Sequence, residues 1–523
     1  MPTPKHARSP IPPRHLQPPS QQVLTRRALL KAGGALGAAA ATVGLLERNA
    51  RLPVRLPLVD AGSHHHGGGS GGGTGGTATA LPDIQFAVGD FIAPACNVDG
   101  VQVRFGPVFT NFTTVRLSRT PTRDDQRRLA DALDTIEAAY QFSPSGLFTH
   151  VAYGGPYFRR LPSRLVSATI PRLVSDTSRS VLEEAVAAPT DVSPQNPGIS
   201  KRRWHVPVRI ERNDMLFTFR SDRPSIIEDV QAWLLQGSDG LAGARVASPL
   251  SGLFRVTSAR VMFQQIGLPA KVAAQNGLPY ASRINPQSPM WMGFADQQTN
   301  AAAPPALVTF QGTDQARLST ARAGDYFDNG TIQHLSHVIL DLEAFYAREG
   351  EAGSDEDETY LERVQYMFRS NPPPALGNTD QFAAGGGPAF LPNTFQGADD
   401  ALAAARGEGT LDGAGRIGHE AALQRSSRLP DGTPLHIRID GTGYDRMDVR
   451  DRSRQPKLQF SGFFPSADFF ATMQRNGAAV DLQQQFNVDP DDNGLERFST
   501  ATRRQNFLVP PRRHRAFPLV EMT

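Results

Sequence analysis

The chain has 523 residues, 39% of them hydrophobic and 20% charged, which excludes both a single small module and a wholly disordered chain and favours two domains. Its net charge of +3 and pI near 9.1 come from the first 80 residues. That stretch holds nine Lys/Arg against two Asp/Glu and leaves 45 against 49 in the rest, so the body carries no electrostatic footprint for nucleic acid.

Residues 1–24 are rich in Pro and Gln and read as unstructured. Thr25-Arg26-Arg27-Ala28-Leu29-Leu30-Lys31 follows, and then a weakly apolar run from Ala32 to Leu46. That run is too short and too rich in Ala and Gly for a bilayer span of about 20 residues. A paired arginine ahead of it resembles the twin-arginine export signal, with Leu29 and Lys31 at the neighbouring consensus positions. Export by this machinery moves folded proteins, the usual reason a chain carrying a cytoplasmically inserted cofactor uses it. The expectation is a signal region over 1–61, with a candidate cleavage point near Val59-Asp60-Ala61, and an exported or secreted protein that meets a membrane only if the signal is retained as an anchor. Residues 62–81 read as a linker rich in Gly, Ser and Thr, its His64-His65-His66 adding only adventitious metal affinity. The single cysteine, Cys96, excludes an internal disulfide and a Cys-based metal site, and reads as a small buried hydrophobe.

From Phe112 to Ser118 apolar and polar residues alternate as in a half-buried strand, and Thr122-x-x-Asp125 predicts a helix start. Leu129, Leu133, Ile136 and Tyr140 continue at helical spacing to about residue 141. Leu147 to Tyr153 returns as a strand. The series recurs with a strand over Met215 to Arg220, a capping box Ser225-x-x-Glu228, a helix carrying Ile226, Val230, Trp233 and Leu234, and a strand over Phe254 to Phe263. Two such units predict a four-stranded antiparallel sheet with both helices on one face. The second half repeats the pattern more loosely, with strands over Gln333 to Leu340, Leu458 to Phe463 and Gln505 to Val509, and helices over Leu342 to Ala347 and Ser466 to Gln474. An acidic run, Pro372-Pro373-Pro374 and Gly385-Gly386-Gly387 mark residues 350–415 as an insertion. The fold class expected is α+β, in two ferredoxin-like domains over 82–265 and 266–523, each an antiparallel sheet with helices packed on it.

Four segments occur in an order that carries further information. They are Val151 to Leu161 (VAYGGPYFRRL), Met292 to Asn300 (MGFADQQTN), Gly330 to Leu340 (GTIQHLSHVIL) and Arg416 to His419 (RIGH). Together they resemble the landmarks of the dye-decolourising haem peroxidases, over roughly Pro82 to Pro518. That family is built from two ferredoxin-like domains of the dimeric α/β barrel type. The resemblance implies haem b (iron protoporphyrin IX) as cofactor, with hydrogen peroxide and a small organic reductant as substrates. The family's Gly-Phe-x-Asp-Gly is here Gly293-Phe294-Ala295-Asp296-Gln297, without the closing glycine. Its propionate-facing arginines are here Ser336, His337 and Ile339.

Composition leaves His150, His205, His334, His337, His419, His436 and His514 as possible iron ligands; the resemblance singles out His419, at the start of a predicted helix ending before Leu429-Pro430-Asp431-Gly432. His334 and His337 form an H-x-x-H, but on a strand an offset of three points to opposite faces. Arg438 follows His419 by 19 residues on the alternating stretch Leu435-His436-Ile437-Arg438-Ile439. In the resembling family an arginine at almost this separation stabilises negative charge developing as the peroxide O–O bond breaks; by residue type alone it is equally a surface strand arginine. Asp296 takes the role of general acid–base at the same bond, where by residue type it could instead cap a turn. The resemblance thus implies Asp296 and Arg438 as the catalytic residues, both in contact with the cofactor, and His419 as the metal ligand. A second reading keeps the fold and not the reaction, as a non-catalytic binding or structural protein that has lost efficient haem binding.

Overall fold

The computed structural model describes residues 81–92, 96–98, 101–103, 106–293, 302–347, 435–478 and 495–523, apart from 202, 287 and 315–316, with isolated positions between 479 and 494. The predicted insertion over 350–415 and the leader lie outside the described residues, as do Asp296 and His419. Cys96 falls on a short strand, Cys96–Val98, paired with Val101–Val103.

Eight long strands form the frame. They are β1 (Phe109–Leu117), β2 (Phe148–Gly154), β3 (Met215–Ser221), β4 (Phe254–Phe263), β5 (Thr331–Leu340), β6 (Ile437–Asp445), β7 (Gln455–Phe464) and β8 (Ser499–Val509). Their order is β5-β7-β6-β4-β1-β3-β2-β8, and β8 pairs back onto β5, so the sheet closes into an antiparallel barrel. Closure removes the free edges that two separate sheets would present. The expectation of two sheet domains therefore gives way to one continuous barrel, with β1 to β4 contributed by the first half and β5 to β8 by the second.

Helix α1 (Arg123–Ala139) starts where the sequence predicts. Thr122 Oγ1 accepts from the Asp125 N–H, and the Asp125 carboxylate accepts from the Thr122 N–H, so two donors of the first turn are satisfied. Leu129, Leu133 and Ile136 form its buried stripe. Helix α2 (Pro224–Gln236) departs from the prediction: Arg223 is its N-cap, with no side-chain cap bond, and Pro224 occupies the first turn. Proline suits that position because its missing N–H would be unsatisfied there anyway. Ser225 and Glu228 therefore lie within the helix rather than forming a capping box. Gly237 ends α2 in the left-handed region at φ +81°, which glycine enters without Cβ strain. Helix α3 (Ala467–Ala478) follows β7. None of the described helices is long and apolar enough to cross a membrane.

Residues facing each other across a ladder share a side of the sheet. Phe112, Ala152, Leu216, Met262, Leu335, Ile439, Phe463 and Phe507, one from each long strand, form a single buried apolar cluster inside the barrel. A larger cluster lies outside the barrel wall, where α1 and α2 pack. The segment before β1 closes one end of the barrel. Phe86 stacks on Phe463 with ring centroids 4.6 Å apart, and the Gln85 amide donates to the Val151 and Pro510 carbonyls while accepting from the Val151 N–H. After β8 the chain returns to the first half, where the Tyr153 and Tyr157 hydroxyls donate to the Arg515 and Pro518 carbonyls.

Candidate functional site

The H-x-x-H pair divides as strand geometry requires. His334 lies outside the barrel and is fully buried. Its ring stacks on Phe470 of α3 at 3.6 Å, while its nitrogens meet Asn506 Oδ1 at 2.7 Å and Ser336 Oγ at 2.6 Å. Burial and the neighbouring Arg504 charge hold its pKa well below the usual imidazole range. His337 points into the barrel, opposite Gln459 and Arg503. No zinc pair can form from these two side chains, and among the described residues no group of three or more His, Cys, Asp or Glu is arranged to hold a metal ion.

Four other candidate histidines fall among the described residues. His150 is buried inside the barrel beside Phe463, with its pKa lowered to about 3 by burial and by the charges of Arg220 and Arg512. His514 stacks on Tyr326, and His205 is exposed. The backbone carbonyl of His436 accepts from the Ala303 N–H.

Of the three residues carried over by resemblance, Arg438 alone is described. It lies on β6 opposite Gly462 and is half-buried, as are Asp440, Leu458 and Phe460 on the same outer face. Alternation sets this direction: Ile437 and Ile439 belong with the interior cluster, so Arg438 projects from the other side. The loop leading toward Asp296 is positioned up to Gly293. This glycine has φ +80°, and a Cβ there would sit 3.2 Å from the Tyr346 hydroxyl. The Asn285 amide donates to the Gly293 carbonyl and the Tyr346 hydroxyl to the Trp291 carbonyl, fixing the approach.

The positions corresponding to propionate arginines do not offer free cations. Ser336 faces outward and accepts from Arg504, while His337 and Ile339 sit opposite Gln459 and Lys457 inside the barrel. Arg504 is engaged with Asp191 in a two-pronged pair of 2.7 and 2.8 Å. Over β5 and β8 the outer face is thus filled by the protein's own groups and does not fit a haem propionate.

Sequence reasoning missed a second polar constellation, at the barrel end where β6 runs into β7. His337 Nε2 lies 3.2 Å from Asp445 and its Nδ1 3.1 Å from Asp448. Arg503 grips Asp448 through Nε and Nη2 at 2.6 to 3.0 Å and also donates to Glu211 at 2.9 Å. Arg260 donates to the other oxygen of Glu211, and Lys457 to the Met447 carbonyl at 2.8 Å. Burial works against the charged form of Asp448, but hydrogen bonds from His337 and Arg503 together outweigh it and hold the carboxyl well below its usual range. Arg260, His337 and Lys457 lie on three different strands, so no spacing along one element signals that they meet.

A family model matches residues 107–511. The chain belongs to a family of unknown function, DUF7405. No protein of curated function matches it in sequence. In structure it is similar to the encapsulated DyP-type peroxidase from Mycobacterium smegmatis, at 14% identity and a TM-score of 0.42 over 78% of this chain and 94% of that one. A variant of DypB from Rhodococcus jostii in complex with haem is similar at 14% and 0.42, over 80% and 97%. A dye-decolorizing protein from Vibrio cholerae is similar at 13% and 0.42, over 78% and 95%.

Proposed function

We propose that the chain is an exported haem-dependent peroxidase that reduces hydrogen peroxide and oxidises an aromatic or other organic reductant. The single observation that carries this reading is Arg438, half-buried on the outer face of β6 and 19 residues after His419, close to the separation found in the resembling family. On this reading the two strand sets of the barrel are two ferredoxin-like units over 82–265 and 266–523, and residues 1–61 direct export through the twin-arginine machinery. Haem, when bound, supplies the iron at which peroxide is reduced, and His419 is the residue assigned to hold it. Asp296 takes the proton from one peroxide oxygen and returns it to the leaving oxygen. Arg438 stabilises the charge on that oxygen without exchanging a proton.

The filled face over β5 and β8 favours a second reading, a peroxidase-like binding or structural protein without haem. Absorbance separates the two. Full-length protein from cells supplied with haem precursor should show a Soret band that His419→Ala abolishes or shifts, and Asp296→Asn should keep the band while slowing the reaction with peroxide by roughly 10²-fold. A colourless protein that takes up no added haem supports the second reading. Export is tested separately, since Arg26→Lys with Arg27→Lys should retain a fused reporter in the cytoplasm.

A further inference from the structure

We infer that the turn between β6 and β7 is the docking surface for an acidic segment of this same chain, residues 349–358. By sequence the stretch from Asp445 to Arg454 is close to charge-balanced, with Asp445, Asp448 and Asp451 against Arg446, Arg450, Arg452 and Arg454. The fold sorts these charges. Asp445 and Asp448 turn toward the barrel interior, where Asp448 pairs with Arg503 at 2.6 Å and Asp445 lies 3.9 Å from Lys457. Asp451 folds back on the turn, its carboxylate accepting from the Ser453 N–H at 2.9 Å and from the Ser453 hydroxyl at 2.7 Å. Arg446, Arg450 and Arg452 are left exposed, and among the described residues they make no hydrogen bond or ion pair. Crowded on one turn, these guanidiniums repel one another and present the planar forks that pair with carboxylates.

The position of the turn names the occupant. Residues 349–358 lie outside the described residues and by sequence hold Glu349, Glu351, Asp355, Glu356, Asp357 and Glu358, with no Lys or Arg. The last described residue before them, Ala347, follows the short helix Leu342–Phe345. Arg203 links that helix to the turn. It donates to Glu343 and lies 3.5 Å from Asp341. Its charge also reaches Asp451, whose carboxyl is held below its usual range mainly by the Ser453 hydrogen bonds, with Arg203 adding to them. From Ala347 to Asp355 the chain can span about 26 Å when extended, so the acidic segment leaves the described structure within reach of the unpaired arginines.

The test is limited cleavage of the full chain by a glutamate-specific protease, read at Glu356 and Glu358 and normalised to a free peptide of the same sequence. Because exposed ion pairs are individually weak, docking should slow cleavage by about 5- to 10-fold at low ionic strength. The protection should vanish in about 1 M salt, where the screening length falls to about 3 Å. Arg446→Gln, Arg450→Gln and Arg452→Gln combined should remove it at low salt. So should Asp355→Asn with Asp357→Asn, which leaves both cleavage sites and the whole turn in place and decides the matter if the arginine variant fails to fold. Cleavage of the wild type at the peptide rate in low salt, or protection that persists in these variants, overturns the inference. An unprotected segment together with arginine-dependent binding to phosphatidylglycerol vesicles overturns it in favour of a lipid partner.

Discussion

The two ends of the barrel interior are built by opposite means. At one end Phe86, Phe463, Phe507 and Leu335 fill the space with apolar volume. At the other, His337, Asp448, Arg503, Glu211 and Arg260 fill it with polar and charged groups linked by hydrogen bonds. The apolar end gains from removing surface from water and tolerates imperfect directions. The charged end must first recover the desolvation of every ion, so its net contribution is small while the loss of one partner is large. The same closed sheet thus contains a region that is graded in its response to mutation and one that is all-or-none.

Four changes sharpen this contrast. Phe463→Ala deletes a fully buried ring stacked on Phe86 and should cost about 3–5 kcal/mol by denaturant unfolding, the range for a large-to-alanine change with its cavity. Asp448→Asn keeps the shape but strips the charge facing Arg503 and His337, and should cost about 3 kcal/mol; a loss below 1 kcal/mol would show that the ions do not depend on one another. Both ends also respond to acid, in different windows. His150 has its folded pKa depressed to about 3, so the unfolded chain takes up a proton that the folded chain refuses. Its stabilising effect is complete above about pH 6.5 and declines as pH falls toward 3. Asp448, also depressed, contributes fully above about pH 4 and loses its contribution only below that. Stability measured against pH should therefore fall in two stages, and His150→Gln should remove about one proton from the slope between pH 4 and 6.5 while leaving the lower stage intact. The smallest effect is expected for Thr502→Val, which loses hydroxyl bonds to Asp448 and the His337 carbonyl at about 1 kcal/mol.

Legibility in the sequence followed the range of the interaction. Strand β4 is found at the residues its alternation predicts, and α1 starts at the predicted Thr122 cap. The start of α2 was misread because Ser225-x-x-Glu228 satisfies the capping pattern, although Pro224 one residue earlier is the better first-turn residue. Strand β6 was legible only as far as Ile439, since Gly441 and Gly443 interrupt the apolar alternation. Those glycines make sense only beside Met262 and Gln459, whose side chains occupy the room that they leave.

Local chemistry in the sequence thus determined the alternation of strands and helices, the opposite directions of His334 and His337, and the placement of Arg438 on the face opposite Ile437 and Ile439, because each depends on spacing along one element. Tertiary structure decided that the strands close into one barrel, that His337 joins Asp445 and Asp448 rather than a site on the outer face, and that Arg504 is engaged by Asp191. The reason is physical: a period of two says that alternate side chains share a face, but whether that face meets water, a helix or seven other strands depends on pairings between residues more than a hundred positions apart.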